Sequence, residues 1–215
     1  MSKPTFVNVR GCNGSGKTTL LRKLATDSRC KVRTVLVSQE YKPKEGKKQP
    51  AGVFEEMETG RLMIMHPAIP VTITPDGLAI LGDYTPAAAT STTAGCDRIK
   101  TQEAAKKALE AVAALYDVTH VLFEGVVVST IYGPWKEWSQ QHGGMVWAFL
   151  DTPLDICLNR IQRRNGGKPI KEDQVAAKHQ TIARVRQKAQ LDGERVVDIS
   201  WSCPVHDLRE KVLEA

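Results

Sequence analysis

The sequence predicts an α/β fold in which a mainly parallel sheet carries helices on both faces, and three observations lead there. Short apolar runs with strand character alternate with amphipathic helical runs along the chain. Between the first strand and the first helix lies Gly11-Cys12-Asn13-Gly14-Ser15-Gly16-Lys17-Thr18, which fits G-x-x-x-x-G-K-[ST] at every fixed position. Two carboxylates, Glu124 and Asp151, each follow an apolar strand directly. In a parallel sheet such strand ends gather on the edge where ligands bind.

Thr5–Val9 alternates apolar and polar residues as a strand should, and Thr19–Ala25 after the glycine-rich run reads as a helix. Val32–Ser38 predicts a second strand, followed by the lysine-rich segment 42–48. Arg61–Met65 reads as a further strand. Val71–Thr74 and Leu78–Leu81 flank Pro75-Asp76-Gly77, whose glycine can supply the positive φ of a tight turn, so a β-hairpin is expected within an insertion spanning about 61–98. Residues 82–97 form a long loop of small residues. Ala105, Ala108, Leu109, Val112, Leu115 and Tyr116 make one helical stripe over 99–116. Val118–Phe123 is a strand ending at Glu124-Gly125, Trp135–Gln141 a helix, and Met145–Leu150 a strand ending at Asp151. Pro153 suits the first turn of a helix that runs to Arg164. After Gly166-Gly167 a basic helix covers 171–191, then come a strand at 195–199 and a short helix near 205–213. No repeat or linker divides the chain, so residues 1–215 are expected to form one domain.

The bulk properties exclude several classes. No apolar run approaches the roughly 20 residues of a membrane span. The start, Met1-Ser2-Lys3-Pro4, has no signal-peptide stretch, so a soluble, cytoplasmic protein is expected. The five cysteines, at 12, 30, 96, 157 and 203, contain no C-x-x-C, which speaks for reduced thiols and against a disulfide frame or zinc site. The formal net charge is +6 and is unevenly placed. Between Arg160 and Lys188, nine basic residues stand against Glu172 and Asp173 alone, an excess above that of the whole chain. Such clusters attract polyphosphates and nucleic-acid backbones, though the 42–48 segment reads equally well as solvated surface.

Each fixed residue of the glycine-rich run has a task on a nucleoside triphosphate. The glycines let backbone N–H groups converge on phosphate oxygens, which makes Gly11, Asn13, Gly14, Ser15, Gly16 and Thr19 with Lys17 and Thr18 the expected ATP site. Lys17 brings charge to the β- and γ-phosphates, and Thr18 offers a hydroxyl to Mg²⁺. Glu124 is placed to hold that metal as well, or alternatively to cap the next segment. Arg160 and Arg164, one helical turn apart, can stabilise transition-state charge, and with Gly166-Gly167 they suggest a closing lid over about 160–180. An acceptor hydroxyl can give its proton to Asp83 or Asp97, which bracket the small-residue loop; either can equally be a turn former, Asp97 as the cap of the following helix. Trp135 and Trp138, with Tyr132 nearby, can stack a nucleobase or pack a helix.

Together, the phosphate loop, Glu124-Gly125, Leu150-Asp151-Thr152-Pro153 and the arginine-bearing helix resemble the P-loop kinase superfamily, to which thymidylate, shikimate and polynucleotide kinases belong. The turn Gly82-Asp83-Tyr84 ahead of Gly95-Cys96-Asp97 is similar to small bacteriophage kinases, among them the 5-hydroxymethyluracil DNA kinases. That resemblance implies a P-loop NTPase-type fold and ATP-dependent phosphorylation of a modified pyrimidine already in DNA. It also implies a phosphate-charge group of Lys17, Arg160 and Arg164, with Asp83 or Asp97 as substrate-side acid. It would place the protein in the host cytoplasm. One departure stands out: the Asp-Arg or Glu-Arg pair of nucleoside monophosphate kinases is absent after the strand ending at Glu124, unless Asp97-Arg98 is a displaced equivalent. A kinase of free deoxynucleotides therefore remains an alternative. An ATP-regulated nucleic-acid-binding protein is a third reading, against which the intact Lys17-Thr18 pair stands. No Asn-Lys-x-Asp tetrapeptide occurs, which disfavours a GTPase switch.

Overall fold

The computed structural model describes residues 3–215 apart from 28, 44, 47, 85–94 and 100. Most of the small-residue loop, and Lys44 and Lys47 of the lysine-rich segment, thus lie outside the described residues. The strands are β1 (Thr5–Arg10), β2 (Lys31–Val35), β3 (Ser38–Glu40), β4 (Val53–Glu55), β5 (Leu62–Met65), β6 (Ile69–Ile73), β7 (Leu78–Leu81), β8 (His120–Glu124), β9 (Met145–Leu150) and β10 (Val196–Ile199). The helices are α1 (Lys17–Leu24), α2 (Gln102–Leu115), α3 (Val126–Thr130), α4 (Gly133–Gln141), α5 (Leu154–Arg164), α6 (Glu172–Leu191) and α7 (Pro204–Leu208). A 3-10 turn at Gly95–Arg98 and a π-helical turn at Arg209–Leu213 complete the set.

Among the described residues the main sheet runs β10-β9-β1-β8-β7-β6-β2. Strands β10, β9, β1, β8 and β7 are parallel, while β6 and β2 extend one end antiparallel. The expected α/β class is therefore present. The hairpin also forms, with Gly77 at φ 81° in its turn, but it is built into the sheet: β7 pairs directly with β8. Leu78–Leu81 is buried at all four positions, as a central strand must be.

The expected strand 32–38 is split. Val35 and Val37 are buried while Leu36 is exposed, and the chain leaves β2 there to start β3. That strand belongs to a second small sheet in the order β3-β5-β4, which the sequence did not announce. β3 and β4 have three residues each and are largely exposed, too short to display a period of two.

Alternate residues of the central strands feed two cores. Phe6, Val121, Phe123, Trp147 and Phe149 face one side, where they meet α2, α4, α5 and α6. Val7, Val9, Leu122, Val146 and Ala148 face the other, against α1, α7 and the π-helical turn. Trp135 and Trp138 are buried in the first core, with ring centroids 5.1 Å from Phe123 and 4.8 Å from Phe6 respectively. They pack a helix and present no face to a nucleobase. Val175, Ile182, Val185 and Ala189 bury one stripe of α6 in the same core. Within the expected lid of about 160–180, the stretch 162–169 is exposed, while Val175 packs the first turns of α6 on the core.

At the end of β1, immediately before the glycine-rich loop, Arg10 is completely buried. Its Nη1 donates to the carbonyl oxygens of Ser129 (3.2 Å) and Ile131 (3.0 Å), and its guanidinium lies 4.1 Å from the Trp147 ring. Burial lowers its pKa to about 9, so it keeps its charge at neutral pH. This arginine ties the end of α3 to the root of the loop. Arg10→Ala would leave two buried carbonyls without a donor and a cavity beside Trp147. We expect it to lower the unfolding free energy by about 2–4 kcal/mol in urea titrations.

Candidate active site

The parallel register sets Val9 of β1 opposite Glu124 of β8. The glycine-rich loop and Glu124 therefore emerge side by side on the carboxyl edge of the sheet, at the mouth of a cavity of about 990 Å³. Its walls include the loop from Cys12 to Thr19, with Asp97, Glu124, Arg160, Arg164 and Trp201.

Two glycines are required by geometry. Gly14 has φ 79°, and a Cβ there would sit 2.4 Å from the carbonyl oxygen of Cys157 on α5. Gly16, at φ 102°, turns the chain into α1. That helix points its unpaired first-turn N–H groups and the positive end of its dipole into the cavity. Lys17 is buried, and its Nζ donates to the carbonyls of Gly11 (2.7 Å) and Cys12 (3.2 Å). Thr152, just after β9, supports the loop by donating to the Ser15 carbonyl at 2.8 Å. Asn13 and Gly11 complete the loop; a Cβ on Gly11 would lie 2.4 Å from Ser15 Oγ.

Thr18 Oγ1 donates to Glu124 Oε1 at 2.9 Å, and the Tyr84 hydroxyl donates to the same oxygen at 3.1 Å. Glu124 is buried, and desolvation raises its pKa; Lys17 and the Thr18 and Tyr84 hydroxyls oppose that rise, while Asp97 adds to it. Burial also pushes the Tyr84 phenol well up, so it remains a donor. Cys12 and Cys157 lie 3.4 Å apart between their sulfurs. Their hydrogen bond draws Cys12 down to about 7, while the same pairing and burial push Cys157 up.

Of the residues expected from the sequence, Lys17, Thr18, Thr19, Glu124, Arg160 and Arg164 all line this one cavity. Arg160 Nη1 donates to the carbonyls of Gly14 (3.3 Å) and Ser15 (3.2 Å). Asp97 is present as well, but its oxygens accept the N–H groups of Val126 (2.8 Å) and Val127 (3.2 Å). It caps α3, whereas α2 is capped by Thr101, whose side chain accepts from Ala104 N. Sequence reasoning named the wrong helix because Asp97 and α3 are distant along the chain. Asp83 is not brought to this cavity. It lines a second, smaller one with Arg98, described below.

Two contributors were missed. Trp201, beyond β10, lines the cavity with its ring centroid 5.4 Å from the Arg160 guanidinium. Its backbone N–H donates to Asp151 Oδ1 at 2.7 Å, which gives that strand-end carboxylate a role. Tyr84 was quoted only as part of a turn motif; its contact with Glu124 spans 40 residues, beyond any local signal.

A family model described as "5-hmdU DNA kinase" matches residues 50–194. A curated protein of Pseudomonas phage M6 named "5-hmdU DNA kinase" is 60% identical over 204 residues, 95% of either chain. One of the same name from Pseudomonas phage PaMx11 is 25% identical over the full length of both chains. Another, from Bacillus phage SP10, is 29% identical over 85% of this chain but only 25% of its own length. No solved structure matches. Among the described residues no helix is long and apolar enough to cross a membrane. With identity at this level across nearly its whole length, and with the family model covering most of it, the chain belongs to the 5-hmdU DNA kinase family.

Proposed function

We infer that this protein transfers the γ-phosphoryl group of ATP to the hydroxyl of 5-hydroxymethyluracil within DNA, in the cytoplasm of a phage-infected host. The observation that carries the transfer reaction is the convergence of Lys17, Thr18 and Glu124 beside the phosphate loop. The relatives' shared name supports the acceptor.

The loop N–H groups from Asn13 to Thr19 and the start of α1 would hold the β- and γ-phosphates, with Lys17 exchanging its loop carbonyls for phosphate oxygens. Trp201 and Arg160 would bracket the adenine, and Arg164 would face the phosphates from the end of α5. Thr18 and Glu124 present hard oxygen atoms 2.9 Å apart at the phosphate end. Among the described residues no cluster of three metal-ligating side chains exists. That donor set suits Mg²⁺, which binds few protein groups and completes its shell with phosphates and water. When bound by Thr18 and Glu124, Mg²⁺ would neutralise charge on the transferring phosphoryl oxygens. As the acceptor oxygen bonds to phosphorus, the bond from phosphorus to the bridging oxygen of ADP breaks. The hydroxyl proton passes by way of an acceptor-side carboxylate to water. The acceptor side would lie between Asp97, on the wall of the phosphate cavity, and Asp83, on the smaller cavity beside it.

The direct test offers labelled ATP with hydroxymethyluracil-containing duplex DNA and, in parallel, free deoxynucleotides. We expect label in the DNA and none with Lys17→Ala; label in the free nucleotides alone would reject the reading. Trp201→Ala should raise KM for ATP by roughly tenfold with little change in kcat.

Glu124 couples function to stability. Its folded pKa lies above the ordinary 4.5, so the folded state holds this proton more tightly than the unfolded chain. The corresponding stability is complete below the unfolded pKa and is lost as pH rises through the folded one. Glu124→Gln should therefore melt at or above the wild-type temperature at pH 8, and the gap should close as pH falls toward 4.5. The same variant should lose transfer by roughly 10²-fold or more.

A further inference from the structure

A second cavity, of about 220 Å³, opens on the same edge of the sheet as the phosphate loop. Its lining comes from the ends of β7 and β6 and from the 3-10 turn, including Ile69, Pro70, Asp83, Gly95, Arg98 and Ile99. Since β1, β8, β7 and β6 are consecutive in the sheet, this cavity follows the phosphate loop and Glu124 along the rim, roughly 10–15 Å from the loop.

Gly95 and Tyr84 stand in the partition between the cavities. That glycine lines the smaller cavity, has φ 68°, and a Cβ on it would lie 2.7 Å from both the Glu124 carbonyl oxygen and the Tyr84 hydroxyl. Glu124 Oε1 would be 3.3 Å away. Asp97, two residues on, already belongs to the wall of the larger cavity. Among the described residues, the Gly95 backbone and the Tyr84 hydroxyl thus stand between a ligand in the smaller cavity and the Glu124 carboxylate, while both cavities open on the one rim.

Size and lining select the ligand. The volume falls below the roughly 300–1,000 Å³ of sites for drug-sized molecules, so a nucleoside triphosphate is too large and a single ring is suitable. Pro67, Pro70, Ile69 and Ile99 offer flat apolar faces to such a ring. Asp83 and Arg98 add a carboxylate and a guanidinium to the lining, the polar chemistry that the N–H and carbonyl groups of a uracil edge would meet. Every lining residue falls within the stretch 50–194 that matches the family model.

We propose that this cavity receives the acceptor base, turned out of the DNA helix, with its 5-hydroxymethyl arm directed along the rim toward the phosphate cavity. The proposal rests on the function inferred above and adds to it the place and manner of base recognition. A duplex displays the 5-substituent in the major groove but covers the ring faces by stacking and the pairing edge by the partner base, so insertion of the ring into the cavity requires it to leave the stack.

The test fills the cavity from an exposed position. Ala68 lines it from the loop between β5 and β6 and lies outside both cores. Ala68→Trp should cut kcat/KM for hydroxymethyluracil DNA by roughly tenfold or more while leaving the binding of a fluorescent ATP analogue unchanged. In parallel, wild-type protein is irradiated with duplex DNA carrying 5-iodouracil at the target position, and cross-linked peptides are sequenced. Attachment within 66–70 or 95–99 is expected. Unchanged DNA kinetics in Ala68→Trp, or attachment confined to other segments, would overturn the base pocket while wild-type transfer to DNA still upheld the proposed function. Absence of wild-type transfer to DNA would instead overturn that function, and the pocket assignment with it.

Discussion

The hydrogen bond from Thr18 to Glu124 joins two strands' worth of chain that are otherwise far apart in sequence, and the site depends on it. It exists because β1 and β8 pair in parallel with Val9 opposite Glu124, so that a helix start and a strand end face each other across one strand spacing. A slip of one residue in that register would turn Glu124 to the other face of the sheet. Three further contacts hold the geometry. Arg10 pins the segment following Glu124 to the root of the loop, Tyr84 braces the carboxylate from β7, and Thr152 supports the loop from β9. Four neighbouring strands therefore converge on a single carboxylate–hydroxyl pair.

The phosphate loop was legible because its function is written locally: backbone geometry, one lysine and one hydroxyl all lie within eight residues. The central strands were legible for a similar reason, as β1, β8 and β9 are buried on both faces and show as apolar runs. Other features were hidden because their cause lies elsewhere in the chain. Trp135 and Trp138 look alike whether they stack a base or fill a core; only the approach of Phe6 and Phe123 decides. Asp97 looks like a cap for the next helix, yet the chain returns 29 residues later to place α3 against it. The basic helix α6 reads as a lid because its charges dominate its composition. Its narrow apolar stripe, Val175, Ile182, Val185 and Ala189, packs on the core and is inconspicuous beside those charges.

The site also carries charge where burial disfavours it. Arg10 and Glu124 are both buried, and their pKa values move in the direction of neutrality. Each is compensated locally, Arg10 by two carbonyls and the Trp147 face, Glu124 by two hydroxyls and the nearby ammonium of Lys17. The compensation differs in kind. The partners of Arg10 are backbone groups that cannot leave, which suits a structural cation. Those of Glu124 are hydroxyls that can rotate and a lysine that can swing, which suits a carboxylate whose partners change during a reaction cycle.

Anchoring α6 changes how the positive charge near the cavity must work. Arg163, Arg164, Lys168 and Lys171 are exposed around the turn between α5 and α6, and Arg164 also lines the cavity. On the proposed function, two polyanions, a triphosphate and a DNA strand, must approach within bonding distance. Their mutual repulsion is reduced only by cations lying between or beside them. Residues held on a swinging lid would serve the triphosphate alone after closure. Residues fixed at the rim by the packing of α5 against the loop and of α6 against the sheet can face both at once. The Cys157 carbonyl, pressed against Gly14, keeps α5 in register with the phosphate loop. That contact fixes where α5, and with it Arg160 and Arg164, stands relative to the phosphate loop.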